Sequence, residues 1–317
     1  MNVSESSQVR GTSWVISGLA AALMALACGS EQTPAKAAEN ASNFEFAPNV
    51  GLEFRHEMTH LDEFTVPAAS FREALEWRIL WNVRVEQEGE YYLYHRRLVE
   101  LALSVNGEPL LAGNEITAKN AEIVQVMSRS GRAKDVTGTE QLTEAIASVL
   151  PEAQRDAATQ QFSPTNLREL LLERAVDAFG DVVGKPAHVG ASWPAQKSGG
   201  LLQPKEVRVD SALACGGTGC RKVVRSYDID QQRLGDVARR RVARFVAAQK
   251  WDPETLQVIG TNVTAEDSFV VEPTTCLFHD AVLTEQGRVL LQGPAGGRAE
   301  VLLTSRDSSH AEYPLPK

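Results

Sequence analysis

The chain has 317 residues, 43% of them hydrophobic, with 32 Lys+Arg against 41 Asp+Glu for a net charge of −9. That apolar content can fill a large core and excludes a disordered or collagen-like chain. The acidic balance offers no long-range attraction for a phosphate backbone, so nucleic acid is not an expected partner, and four cysteines are too few for a disulfide scaffold.

Arg10 precedes a short apolar run from residue 14 to 27 that ends in Ala25-Leu26-Ala27-Cys28. This is the anatomy of an export signal. A membrane-crossing helix needs about 20 apolar residues, and Cys28, Gly29, Ser30 and Glu31 interrupt this run well short of that. The residues before Cys28 resemble a bacterial lipobox, where the signal peptidase cuts before a cysteine whose thiol carries diacylglycerol. Ala25 stands where the lipobox usually has leucine. The resemblance implies a signal peptide over 1–27, lipidation of Cys28, and the membrane as a partner reached through the N-terminal lipid. Gly29 occupies the place of the aspartate common in lipoproteins retained at the inner membrane, which points to the outer membrane, facing the periplasm. The alternative is an ordinary secretory signal that contains Cys28. Residues 28–49 have almost no large apolar side chain and predict the lipidated cysteine and a tether. The folded domain is then expected over 50–317.

Within it, 52–66 alternates Phe54, His56, Met58 and His60 against Glu53, Arg55, Glu57 and Thr59, a strand period. Pro67 breaks that run. A second run, 77–85, places Trp77, Ile79, Trp81, Val83 and Val85 on one face, and 91–105 returns as a third strand ending at the hairpin signal Asn106-Gly107. Residues 121–127 predict another strand, with a turn over 131–135. Helical spacing follows at 140–150 (Leu142, Ile146, Val149, Leu150) and at 163–179, where Ser163 and Pro164 suit the first positions of a helix. Further strands are expected at 205–214, 221–229, 239–248, 256–264, 268–271, 275–283, 288–292 and 300–304. The stretch 234–250 fits strand or helix equally. Strands, then one or two helices, then strands again predict an α+β fold with a large antiparallel sheet packed by those helices. Residues 50–150 and 200–317 are candidate similar halves, joined by the helices in 140–180.

His56-Glu57-Met58-Thr59-His60 reproduces H-E-x-x-H. On a helix that spacing puts two imidazoles on one face to hold zinc, with the glutamate as base, and over five residues it resembles the zincin metalloproteases. In a strand His56 and His60 point one way and Glu57 the other, so the glutamate cannot serve the metal. His56 and His60 therefore remain secondary metal candidates. Cys215 and Cys220 flank the glycine-rich turn Gly216-Gly217-Thr218-Gly219 between two strands, and an oxidising envelope favours a local disulfide. Cys276 is left over. Two other readings are a redox pair, or a zinc site built from Cys215, Cys220, Cys276 and His279. The segment from Gly89 to Arg96, with Tyr91, Tyr92 and Tyr94, resembles the glycine-tyrosine-rich strand of the periplasmic domain of the thiol:disulfide interchange protein DsbD. Arg239-Arg240-Arg241 with Arg244 is the one basic cluster, expected to be a solvated face.

The motifs Gly51-Leu52-Glu53-Phe54, Trp81-Asn82-Val83, Asp135-Val136-Thr137-Gly138, Val183-Gly184-Lys185-Pro186, Val189-Gly190-Ala191-Ser192-Trp193 and Thr284-Glu285-Gln286-Gly287-Arg288 recur in an order that resembles uncharacterised β-rich bacterial lipoproteins. These are similar in plan to the curved, half-open sheet of the envelope's lipoprotein carriers. The resemblance implies a half-barrel or sandwich-like sheet whose concave face holds acyl chains. The expectation is a non-enzymatic, membrane-anchored envelope lipoprotein that binds a hydrophobic ligand or an envelope protein, with no cofactor. The alternatives are a zinc metalloprotease through His56, Glu57 and His60, or a periplasmic thiol-disulfide protein through Cys215 and Cys220.

Overall fold

The computed structural model describes residues 43–111, 121–150, 152, 155, 163–165, 167–168, 181–196, 202–215, 218–230, 257–293 and 296–313. Among these described residues twelve strands form one antiparallel sheet: β1 (Glu53–Val66), β2 (Phe71–Glu88), β3 (Tyr91–Val105), β4 (Glu108–Leu111), β5 (Glu122–Ser128), β6 (Ala133–Thr137), β7 (Ser192–Pro194), β8 (Leu202–Cys215), β9 (Thr218–Ile229), β10 (Gln257–Val271), β11 (Phe278–Gln292) and β12 (Arg298–Glu312). Their spatial order is β6-β5-β3-β2-β1-β12-β11-β10-β9-β8-β7, with β4 added on β3. Two meanders thus meet at a central seam where the first and last strands pair, from Arg55 opposite Glu312 to Thr65 opposite Leu302. The two candidate halves share one continuous, curved and open sheet.

The α+β expectation is corrected: the fold is essentially all-β. The helix α1 (Thr139–Val149) is the one α-helix whose whole span is described. The reason lies in strand length. The runs at 256–264 and 268–271 are one strand, β10, those at 275–283 and 288–292 are β11, and the run at 300–304 extends to the 15 residues of β12. Gly287, which falls in the gap left between two short strands, sits inside the ladder opposite Val263 and Leu303. A Cβ there would come within 3.1 Å of Val263 Cγ2, so this glycine relieves crowding and makes no turn. The turn expected over 131–135 is shorter, and Ala133–Thr137 becomes the edge strand β6. The helix expected over 163–179 lies mostly outside the described residues, with helical backbone at 164–165 and 167–168. The ambiguous 234–250 stretch and the arginines at 239–241 and 244 lie outside them as well.

Local chemistry explains the turns. Asn106 and Gly107 have φ of 54° and 79°, the positive pair that a tight hairpin turn requires. Gly138 starts α1 at φ 84°, and a Cβ on it would sit 2.0 Å from the Glu122 carbonyl oxygen, so only glycine fits between β5 and the helix.

The main core lies on the inner face of the sheet. Trp77, Trp81, Val83, Leu98, Ile123, Val136, Val207, Val223 and Phe269 meet Leu142 and Ile146 of α1, together with Val182 and Trp193 from the 181–196 segment. Phe44 and Phe46, within the stretch expected to be tether, are also buried there. The Phe44 N–H donates to the Lys185 carbonyl at 2.8 Å, and its ring meets Trp193 edge-on at 6.4 Å.

Candidate functional site

Strand alternation decides which chemistry the inner face holds. The even residues of β1, from His56 to Val66, face inward, and Glu57 faces outward. Outward Glu57 accepts two hydrogen bonds from Arg78, at 2.7 and 3.0 Å, and Arg78 also reaches Glu100 at 3.0 Å. The Arg78 hydrogen bonds hold the Glu57 carboxyl below the usual carboxylate range, against a smaller opposing effect of burial. The H-E-x-x-H residues therefore do not converge, and the strand reading of this segment accounts for it. Among the described residues neither histidine shares a metal-sized cluster with two further ligands.

Each inward histidine has its own partners. The Arg96 guanidinium donates to His56 Nδ1 at 3.0 Å, so the neutral ring donates from Nε2 to Ser309 Oγ at 2.8 Å. Burial, then the positive charge of Arg96 and the neighbouring His310, hold the His56 imidazole well below its ordinary range. The sign of the pH effect follows. Below about 6.5 the unfolded chain takes up a proton that the folded chain refuses. Stability from this group is full above that pH and is lost as acid drives the site toward its lower folded value. Wild type should lose up to about 1.4 kcal/mol per pH unit more than His56→Gln below pH 6.5, read from urea melts at pH 7.5 and 5. Equal acid losses in the two proteins would remove His56 as the cause.

His60 lies two inward positions along the same face, past Met58, and is 2% exposed, with Nδ1 2.5 Å from Asp307 Oδ1 and its ring stacked on Trp77 at 5.3 Å. The ladders extend this level into a row across the sheet: Leu103, Trp77, His60, Asp307, Leu283, Asp267, Arg225 and Val207. At its far end Arg225 stands between two buried carboxylates, with Nη1 3.3 Å from Asp267 and Nε 3.5 Å from Asp181. Tyr227 donates to Asp267 at 2.5 Å. Burial opposes the charge on Arg225, but the facing Asp267, Tyr227 and Asp181 outweigh it, so the guanidinium stays firmly protonated. Asp181 also accepts the Gln196 N–H at 3.0 Å, and its carbonyl accepts the Trp193 indole N–H at 2.7 Å. Arg221 donates to the Ala187 carbonyl at 2.7 Å. Two buried arginines of β9 thereby pin the 181–196 segment onto the inner face. The sequence reading missed this network, although the signal was present: Val223, Arg225 and Tyr227 alternate, which places the arginine on the valine face.

A second apolar cluster lies farther along the inner face. It contains Phe64, Val66, Val289, Leu291, Ala299 and Val301, with Phe71, Val258, Val263 and Leu303 packed against it. Val66, Val289 and Val301 are each 0% exposed. Between the two clusters the ladders align Asp62, Ser305 and Glu285, a polar row. On the opposite face a cavity of about 660 Å³ is lined by charged side chains, among them Arg55, Arg84, Arg97 and Glu122. Its chemistry suits a polar occupant.

At the hairpin joining β8 and β9, Cys215 and Cys220 stand at disulfide distance, with Cα atoms 5.9 Å apart. A ring nitrogen of His279 lies within 4.8 Å of both sulfurs. Cys276 does not join them. It is a buried free cysteine whose thiol is pushed up by burial, then by nearby Glu45. Cys28 lies outside the described residues. No helix among the described residues is long and apolar enough to cross a membrane.

No protein-family model matches the chain, and no curated protein matches it. Among solved structures, one likeness is to a chain from "Lipid-protein interactions in lipovitellin", with TM-score 0.44 and 12% identity over 85% of this chain and 26% of that one. This chain thus spans about a quarter of the lipovitellin chain's length. DynF from the dynemicin biosynthesis pathway of Micromonospora chersina aligns with TM-score 0.20 and 10% identity, covering 91% of this chain and 93% of DynF. OccK5 (OpdH) of Pseudomonas aeruginosa aligns with TM-score 0.21 and 7% identity, covering 84% of this chain and all of that one.

Proposed function

We propose that the protein is anchored to the bacterial outer membrane through a lipid on Cys28, facing the periplasm, and that the inner face of its sheet holds an apolar ligand such as an acyl chain. The second apolar cluster is the observation that carries this reading. Its described residues all come from strands of one sheet. These side chains are already withdrawn from water, so an apolar body that inserts among them is stabilised by burying its own surface, about 25 cal/mol for each Å². The polar row of Asp62, Ser305 and Glu285 bounds the strip on the side of the main core. An apolar strip ending in polar side chains matches the two-part chemistry of a lipid. The His56, Glu57 and His60 arrangement gives no support to a protease, because the base and the ligands occupy opposite faces of β1.

Anchoring is tested by metabolic labelling with an alkyne-bearing fatty acid followed by fractionation of the cells. Wild type should carry the label and sediment with membranes, and Cys28→Ser should be unlabelled and soluble. An unlabelled, soluble wild-type protein would contradict the anchor.

A further inference from the structure

We propose that the Cys215–Cys220 pair, when reduced, forms a zinc site with His279, so that the same two cysteines alternate between a disulfide and a bound metal. The observations converge here on residues of different elements. The two sulfurs and a ring nitrogen of His279 lie within 4.8 Å of one another, although the cysteines sit on the β8–β9 hairpin and the histidine on β11. Tetrahedral zinc with bonds of about 2.0–2.3 Å needs its ligand atoms about 3.3–3.8 Å apart, so opening the disulfide requires only small side-chain movements. His279 Nε2 is buried and has no hydrogen-bond partner. Glu272 Oε1 lies 3.7 Å from His279 Nε2, beside the cluster and not within it.

The surroundings resemble a built second layer. Thr275 Oγ1 donates to Glu272 Oε2 at 2.6 Å, which fixes one carboxylate oxygen and leaves Oε1 turned toward the histidine. The His279 ring stands edge-on to Tyr313 at 4.9 Å, and the Tyr313 hydroxyl donates to the Phe278 carbonyl at 2.5 Å. Two thiolates and one imidazole, with the fourth position left to water, are a ligand set that zinc accepts. Cys276 is excluded from it by position, which corrects the four-ligand set expected from spacing alone.

The chemistry balances with a dithiol or phosphine as reductant. It supplies two electrons to the sulfur–sulfur bond: a dithiol becomes a disulfide and passes its two protons to the sulfurs, whereas a phosphine takes the oxygen of one water to become a phosphine oxide and that water's two protons go to the sulfurs. Zinc binding then forms two zinc–sulfur bonds and releases those two protons to solvent. A small-molecule disulfide reverses the sequence: it accepts two electrons and two protons to become two thiols, the Cys215–Cys220 bond re-forms, and the metal is released.

The test uses the full-length protein in detergent, reduced with a phosphine or left oxidised, loaded with zinc and desalted. Metal analysis should find one zinc per chain in the reduced form and none in the oxidised form. Competition with a chromogenic chelator should show His279→Gln weakened at least tenfold, and Cys276→Ala unchanged. Substituting cobalt in the reduced wild type reads thiolate ligation from its sulfur-to-metal charge-transfer band, and needs no variant to fold. A reduced protein without zinc, cobalt without that band, or zinc lost in Cys276→Ala would each overturn the assignment.

Discussion

Replacing Arg225 with alanine should lower the unfolding free energy by about 3–5 kcal/mol, the range for leaving a buried charge unpaired. The guanidinium, Asp181 and Asp267 have side-chain exposures of 4–6%, so water cannot take over the screening that Arg225 provides. Truncation also removes the guanidinium that lies over the Phe269 ring at 4.8 Å. The damage should spread, because Asp181 joins β9 to the 181–196 segment through Gln196 and Trp193. Combining Arg225→Met with Asp267→Asn should recover part of the loss, since one uncompensated carboxylate is then gone. Urea melts measure both, and a cost below about 1 kcal/mol for Arg225→Ala would show that the three groups do not act as a unit.

What was legible in the sequence follows the reach of each signal. Period-two alternation located β1, β2, β3 and the inward direction of His56, Met58 and His60, because alternation is a property of a few adjacent residues. It also showed that Glu57 could not serve a metal held by its flanking histidines. The spacing of Leu142 and Ile146 located α1 for the same local reason. Fold class was misjudged where strands run longer than their apolar pattern. In β12, Arg306 to His310 is polar throughout, yet Asp307, Ser308 and Ser309 are buried by pairing with β1 and β11. That burial depends on residues about 250 positions away, which no local pattern records. The same limit hid Phe44 and Phe46, two isolated aromatics in a polar stretch, and the Arg225 network. The zinc-compatible cluster was partly legible: cysteine spacing indicated Cys215 and Cys220 with His279. That Cys276 stands apart from them required the fold.

The second large effect concerns the ligand. The core side chains of the second cluster are only 0–5% exposed, so a lipid held there would be stabilised by burying its own acyl surface among them. Protein purified from its native envelope is expected to carry that lipid. Cys28→Ser is the appropriate form, since any acyl chain found on it is bound and not covalently attached. Loss of the occupant should also lower the thermal midpoint, because a ligand that binds only the folded state stabilises it by mass action. Native mass spectrometry of Cys28→Ser, with solvent extraction of the same sample, measures this directly. The account predicts a mass above that of the chain, and an extracted lipid that accounts for the difference. A clean spectrum at the mass of the bare chain, with no lipid in the extract, would contradict it.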